Sequence, residues 1–515
     1  MGFITADREQ SIIFGFSLDE FVEKDSKCRY ILKVIDKLDL RELYSRYSNQ
    51  GAEAYEPKLI LATWFLAYCE GVTSTRKLER ACRKDLDFIY MSGNLRPDHT
   101  TLSRFMQRNM DLWGKYFLQI LQVARQMNLS EFKELAIDGT KIKAKSSRKK
   151  TMKQAKLERY INAINEDIKK YTEELGKEDS TENREKLTEQ IEQSEIKKND
   201  LHKIKEELLQ RKEQIGEKDR ENHQINIEEP EAPLMKLPQG NGYAPSYNGQ
   251  IAVDCKSRLI SSQELVQERN DEKQFSRQHV QTEENLGEDK ERKYIADGGY
   301  NSLSQTEYVR ENQINAFISD PKLKHYQKDS IEKLIETGKQ LNKLDFIFDK
   351  EKNCYICPMG ESLLPARGND ENNQDQGRKY RTKDCSGCPI IKQCLGKKNK
   401  TNRRTIFRDY REESAELMRQ KVITPEGRMM MLLRQSTVET VFGYIKDNLG
   451  YRRFRRKGLE NAKGEFALFC LVYNLNRLYK LAFGPLFKKI IIFFTEGILN
   501  KIFYLQKYEN LKIAA

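Results

Sequence analysis

From Lys149 to about Asn222 the chain is dominated by Glu, Lys, Asn and Gln, with apolar side chains at Leu157, Ile161, Ile164, Ile168, Tyr171 and Leu175. These alternate by four and three, which lines them up as one seam along a helix, the pattern of a coiled coil. GKEDST at 176–181 breaks the run, and Leu187, Ile191, Leu201, Ile204 and Leu208 continue a weaker seam. The segment is therefore expected to fold as an antiparallel helical hairpin. At about 1.5 Å per residue, an arm of roughly 25 residues reaches roughly 40 Å from the body. A charge run of this kind is a solvated face; it carries no chemistry and serves for dimerisation or as a brace against a bound partner.

The flanks of the arm have a different period. ELAIDGTKI, Glu134 to Ile142, alternates and is rich in β-branched residues, as a strand would be. After a Pro- and Gly-containing linker, EEPEAPLMKLPQGNG, the run YNGQIAVDCKSRLISSQELVQ reads as a strand pair turning near Lys256 and Ser257. RKYIADGGYNS and INAFISD supply two more strands. Short strands separated by helical segments point to an α/β sheet domain that the arm interrupts.

Ahead of that domain the chain reads as helical. Leu59, Ile60, Trp64, Phe65, Ala67 and Tyr68 recur at helical spacing after Pro57, a favourable first-turn residue. Ser74 precedes a run studded with Arg76, Lys77, Arg80, Arg83 and Lys84, and Pro97 and Thr100 mark the entry of another helix. A helix, a turn and a second basic helix suit a major groove. An all-helical packing domain with a charged face fits equally well. Residues 320–430 read as polar and irregular, and 424–479 as strongly helical, with residues 490–494 as a packing helix too short to span a bilayer.

A chain of 515 residues is too long for one core, and 38% hydrophobic residues with 24 Tyr and 23 Phe make it a folded protein. Ninety-one Lys and Arg against 78 Asp and Glu leave a formal charge of +13, which favours a polyanionic partner such as nucleic acid. MGFITADREQ has no secretory pattern. A cytoplasmic location without membrane attachment is expected. In that compartment the ten cysteines do not form a disulfide framework.

Five of those cysteines are clustered. Cys354 and Cys357 form one C-x2-C pair, Cys385 and Cys388 another, and Cys394 follows. The spacing is that of a four-thiolate structural zinc site built from the two pairs, with Cys394 as a substitute ligand; free thiols are the alternative. In GYRRFRRKG, 450–458, Arg452, Arg453, Arg455, Arg456 and Lys457 are packed around Tyr451 and Phe454. Arginines here would bind backbone phosphates by paired hydrogen bonds, unless the run is only a solvated face.

Asp138 and Asp297 each end an apolar strand, in Ile-Asp-Gly-Thr and Ile-Ala-Asp-Gly-Gly-Tyr. An Asp before Gly more often marks a turn. Two such strands, however, would bring two carboxylates to one sheet edge, where a cation must offset their repulsion. Hard divalent ions take carboxylate oxygens and leave positions open for phosphate and water. Glu439, in Thr-Val-Glu-Thr-Val-Phe-Gly-Tyr-Ile-Lys, fits as a third ligand. On a continuous helix Lys446 would share its face, about 10 Å further along. An ordinary amphipathic helix with a loose surface pair is the other reading. Asp254 is read as a turn residue, and Asp271 as at most a support for a neighbouring carboxylate.

Four ordered segments, AIDGTKIKA at 136, YNGQIAVD at 247 with RND at 269, YIADGGY at 294 and STVETVFGYIK at 436, followed by GYRRFRRKGLE and LVYNLNRL, resemble the DDE transposases of bacterial insertion sequences. The likeness runs from about 50 to 480, excluding the arm. It implies an α/β fold with an RNase H-like mixed sheet flanked by helices, and a helical N-terminal DNA-binding domain over 1–130. The catalytic domain would be built from 131–148, 223–320 and 424–480, with the coiled-coil hairpin inserted at 149–222. A cysteine-rich insert would occupy 321–423 and a helical tail 481–515. It implies Asp138, Asp297 and Glu439 as catalytic residues holding two Mg²⁺ or Mn²⁺ ions. The partners would be double-stranded DNA, as element ends and target, and a second copy of the chain assembled on it near the nucleoid. Arg434, Lys446 and the basic run would contact that DNA. The Tyr-x2-Arg-x3-Glu-x6-Lys signature of the group is kept at Lys446, but Leu432 and Gln435 stand at its tyrosine and arginine, with Arg434 one residue away. A transposase-derived DNA-binding protein and a metal-dependent nuclease that never joins strands are the competing functions.

Overall fold

The computed structural model describes residues 3–4 and 17–483, apart from 48–52, 215, 217–219, 238–241, 322–337, 339, 367–376 and 396–400. The expected tail helix at 490–494 lies outside the described residues. In chain order come helices α1 (Lys27–Ile35), α2 (Arg41–Ser45), α3 (Pro57–Cys69), α4 (Thr75–Lys84), α5 (Leu86–Met91), α6 (His99–Arg108) and α7 (Leu112–Gln126), then strand β1 (Glu134–Lys143). Helices α8 (Gln154–Leu175) and α9 (Thr181–Glu213) precede strands β2 (Leu234–Lys236), β3 (Tyr243–Asp254) and β4 (Ile260–Val266). Then follow α10 (Gln274–Leu286), β5 (Lys293–Ala296), α11 (Leu303–Glu311) and β6 (Asn315–Ile318). The remainder is β7 (Ile347–Asp349), β8 (Cys354–Ile356), β9 (Ser362–Pro365), β10 (Gly377–Arg381), α12 (Ile391–Cys394), β11 (Thr405–Asp409), α13 (Glu412–Ile423), α14 (Pro425–Gly443) and α15 (Leu459–Phe483). The chain is a mixed α/β protein in two compact units. The first holds 1–132, 139–269 and 437–515, and the second 133–138 and 270–436.

In the first unit α3 is buried almost all round, from Leu59 to Cys69, so it is a central helix. Helix α4 buries only Leu78 and Cys82, one turn apart, and leaves Arg76, Lys77, Arg80, Arg83 and Lys84 exposed. The short helix α5 stands between α4 and α6, so the expected helix-turn-helix is interrupted. Asp98, rather than Pro97 or Thr100, caps α6 by accepting from the Thr101 amide at 2.6 Å.

Helices α8 and α9 pack against each other through Leu157, Ile161, Ile164, Leu201 and Leu208. Lys205 meets Glu158 at 2.9 Å and Lys212 meets Gln154 at 2.9 Å, which fixes an antiparallel course. Burial fades along the pair: Ile168, Tyr171, Leu175, Leu187 and Ile191 are half-exposed. A two-stranded pairing of Thr151–Met152 with Ile225–Asn226 closes the base.

Strand β3 pairs antiparallel with β2 at one end and with β4 over Asn248–Val253. Strand β2 lies inside the segment read as a linker; three residues between two prolines are too short for the alternation to register. Helix α15 lies against this sheet and against α3 and α7. Asn474 bonds both backbone groups of Ile260, at 2.8 and 2.9 Å, and Arg477 donates to the Ser257 carbonyl at 2.6 Å. The LVYNLNRL segment is thus an anchor between helix and strand. A Cβ on Gly249 would lie 2.6 Å from the Phe466 ring of α15, which is why the strand carries glycine there. Asp254 is buried and accepts from the Ser257 amide and hydroxyl and from the Ser130 hydroxyl, as a turn residue does.

The second unit contains the parallel array β6–β5–β1, covered by α10, α11 and α13. It also contains the segment whose sequence reads as polar and irregular. Strands β7 to β11 form a five-stranded antiparallel sheet in sequence order. Its core is Leu341, Phe346, Tyr355, Leu363, Tyr380, Ile390 and Ile406. The strands are three to five residues long, and cations pack on their aromatics: the Arg408 guanidinium lies 3.8 Å from the Phe348 ring centre. Short strands with charged residues over aromatic rings leave no period in the sequence.

Candidate active site

The parallel register of β1 and β5 runs Glu134 with Lys293, Leu135 with Tyr294, Ala136 with Ile295 and Ile137 with Ala296. The next residue on each strand is Asp138 and Asp297. Adjacent strands lie about 4.8 Å apart, so the two carboxylates leave the ladder side by side at its C-terminal end. Asp138 is not at a strand end, since β1 continues to Lys143; it is where pairing with β5 stops. Asp297 follows the last residue of β5 and caps a short helical turn, accepting from the Gly299 amide at 2.8 Å.

A third carboxylate joins them. A Cβ on Gly299 would lie 3.0 Å from Oδ1 of Asp297 and 3.5 Å from Oδ2 of Asp271, so glycine leaves a cradle between two acidic side chains. Gly298 is needed for a different reason: a Cβ there would meet Cδ of Pro321 at 2.9 Å. Tyr300 is fully buried beneath the cluster. Burial drives its phenol far above the usual range, the charges of Asp271, Asp138 and Asp297 add to this, and Arg434 opposes it. Arg434 is the counter-charge in this cluster: its Nη1 lies 3.3 Å from Oδ2 of Asp138, with both side chains mostly buried.

Glu439 lies on α14, five residues after Arg434, and is exposed. It belongs to the first unit. Beyond Gly443 the α-helix gives way to a π-helical turn over Tyr444–Asn448. Lys446 sits in that turn, so the expectation that it shares a face with Glu439 on one continuous α-helix is corrected. Widening the hydrogen-bonded loop from i→i+4 to i→i+5 changes the angular step per residue. Among the described residues, no group of three or more His, Cys, Asp or Glu side chains is arranged to hold a metal ion.

The basic run of the first unit is built on two buried rings. Tyr451 stacks on Phe469 at 4.1 Å and Phe454 on the same ring at 5.9 Å. With these two anchored, Arg452, Arg453, Arg455 and Lys457 are exposed and Arg456 is half-exposed. Two of the cations have acidic neighbours, Arg452 at Asp447 and Lys457 at Glu228. Glu465, buried on α15, accepts the Arg455 amide at 2.8 Å and so holds the loop from beneath.

Two family models match the chain. Residues 16–108 match the transposase domain DUF772, and residues 356–479 match the transposase DDE domain. Together the two matches indicate a DDE-type insertion-sequence transposase. No curated protein matches it.

The DDE match takes in Arg434, Glu439, Lys446 and the basic run of the transposase, and begins after both Asp138 and Asp297. Enzymes of this kind cut DNA and transfer strands with divalent metal ions. Among the described residues of the transposase no helix is long and apolar enough to cross a membrane. The sequence gives Asp271 at most a supporting place, and the structure sets its carboxylate across Gly299 from Asp297. The one signal of Asp271 is RND at 269, which has no period and precedes a helix, so only the approach of that segment to Gly299 reveals its place beside Asp297.

Proposed function

We propose that the transposase binds the inverted repeats at its element's ends, cuts there and joins the freed 3′ ends to target DNA, with Asp138, Asp297 and Glu439 as the metal-holding residues of an RNase H-like domain. The observation that carries this reading is the register that sets Asp138 and Asp297 side by side, with Asp271 across the Gly299 cradle. Three acidic side chains with one arginine are a net negative site, which suits hard divalent cations. Two such ions, Mg²⁺ or Mn²⁺, when bound would activate the attacking oxygen and stabilise the leaving one in an in-line phosphodiester displacement.

The chain's own residues do the rest. Arg434 holds the Asp138 carboxylate in place and offers its remaining donors to a scissile phosphate. Asp271 accepts or orients a neighbour of Asp297. Arg452, Arg453, Arg455, Arg456 and Lys457, with Lys446, run along the DNA backbone, while the exposed basic face of α4 suits the end sequence. The α8–α9 pair, a coiled coil in this reading, braces a second copy assembled on DNA. Cleavage and joining use one site because they differ only in whether water or a DNA hydroxyl is the nucleophile.

Asp297→Asn tests the assignment. It is expected to abolish Mg²⁺-dependent cleavage of end-containing DNA while leaving end binding intact; retained cleavage removes Asp297 from the site. Recovery of cut but never joined product from the unmodified protein would instead favour a nuclease.

A further inference from the structure

We infer that the five-stranded unit carries a structural zinc site whose four ligands are Cys357, Cys385, Cys388 and Cys394, and that Cys354 is a core residue outside it. The C-x2-C spacing names Cys354 as a ligand, and strand geometry opposes this. Successive side chains of a strand point to opposite faces. Tyr355 of β8 packs into the aromatic core, so Cys354 faces the other way, and it is only 2% exposed. Cys357, an even number of residues from Tyr355, returns to the Tyr355 side.

The other four cysteines open onto one cleft on that side. Cys357, Cys385, Cys388 and Cys394 line one cleft beside Leu341, Phe346 and Ile390, and Cys354 does not reach it. Cys357, Cys388 and Cys394 pack against the same apolar cluster.

The backbone around these thiols is shaped to hold thiolates. In Cys357-Pro-Met-Gly360, the Gly360 amide donates to the Cys357 carbonyl at 2.9 Å with Gly360 at φ +87°, and the Glu361 amide donates to the Cys357 sulfur at 3.3 Å. The Thr382 hydroxyl lies 3.2 Å from the Cys385 sulfur, and the Cys388 amide returns to the Cys385 carbonyl at 3.1 Å. Both are tight turns that present sulfur with a polar group beside it. A cation also waits at the cleft: Arg404 lines it, bonds the Cys394 carbonyl at 2.6 Å, and keeps a buried Nε with no partner. Four thiolates around Zn²⁺ carry a net charge of −2, and a guanidinium at their edge offsets part of it.

The metal would add to the apolar core of this small sheet, against which three of the four cysteines pack. Binding one Zn²⁺ by four neutral thiols releases four protons, and needs the sulfurs to turn inward about their side-chain torsions. The inference does not depend on the DNA chemistry proposed above.

Metal analysis of the purified full-length chain and of its Cys394→Ser and Cys354→Ala variants tests it. One zinc per chain is expected in the unmodified protein and in Cys354→Ala, and loss of at least nine-tenths of it in Cys394→Ser. No zinc in the unmodified protein, or zinc kept in Cys394→Ser and lost in a soluble Cys354→Ala, overturns it. Alkylation of the unmodified protein, read by peptide mass spectrometry, covers the case in which a variant does not fold. Cys357, Cys385, Cys388 and Cys394 should be protected until a chelator is added, and Cys354 protected before and after under native conditions. Equal labelling of the four with and without chelator refutes the site.

Discussion

Replacing Glu465 with glutamine removes a charge that the first unit holds in its interior. Burial raises the Glu465 carboxyl from the usual 4.5 to about 7, against the opposing pull of the Arg455 and Arg456 amides and guanidinia. One carboxylate oxygen accepts the Arg455 amide and the other has no partner. Between the two values the folded chain keeps a proton that the unfolded chain releases. The contribution to stability is therefore complete below about pH 4.5 and is lost as pH rises through about 7. At about 1.4 kcal/mol per pH unit, the loss amounts to roughly 3 kcal/mol above that window. Glutamine has no charge to bury and still accepts the amide through its carbonyl. Glu465→Gln should thus match the unmodified protein near pH 4 and exceed it by up to roughly 3 kcal/mol near pH 8. Urea unfolding across that range, with hydrogen exchange of the 452–457 amides as the local readout, measures the difference. Parallel pH profiles for the two proteins, or a less stable variant at the alkaline end, would refute the reasoning.

Arg455→Ala should weaken DNA binding and reduce the slope of log affinity against log salt by about 1, since one phosphate contact is removed; an unchanged slope by titration at several salt concentrations shows that the side chain does not touch phosphate. Gly249→Ala should destabilise the first unit by about 1–3 kcal/mol, because its methyl must displace the buried Phe466 ring. A thermal melt within error of the unmodified protein would mean that the ring moves freely. Gly249→Ala combined with Phe466→Leu should recover part of the loss.

Much of the α/β domain was legible because its strands are apolar, long enough to alternate, and bounded by turn residues; β1, β3, β4 and β5 fall where ELAIDGTKI, YNGQIAVD, LISSQELV and KYIAD predict. The transposase family was legible for another reason, the order of several short motifs along one chain. The five-stranded sheet was not, since three- to five-residue strands with arginines over aromatic rings carry neither period. The face on which Cys354 emerges is hidden in the sequence for a related reason. A C-x2-C spacing states a distance along the chain, whereas a strand decides on which face each cysteine emerges.

The sequence by itself determined which residue types were on offer: two Asp-Gly strand exits, a Glu on a helix, a basic run and five clustered thiols. Only tertiary structure decided their company. The β1–β5 register set Asp138 beside Asp297, the path of RND after β4 brought Asp271 to the Gly299 cradle, and α14 turned Arg434 to Asp138. Backbone pairing fixes such neighbours across more than a hundred residues of chain, and the local sequence on either side contains no record of which strand its partner will be.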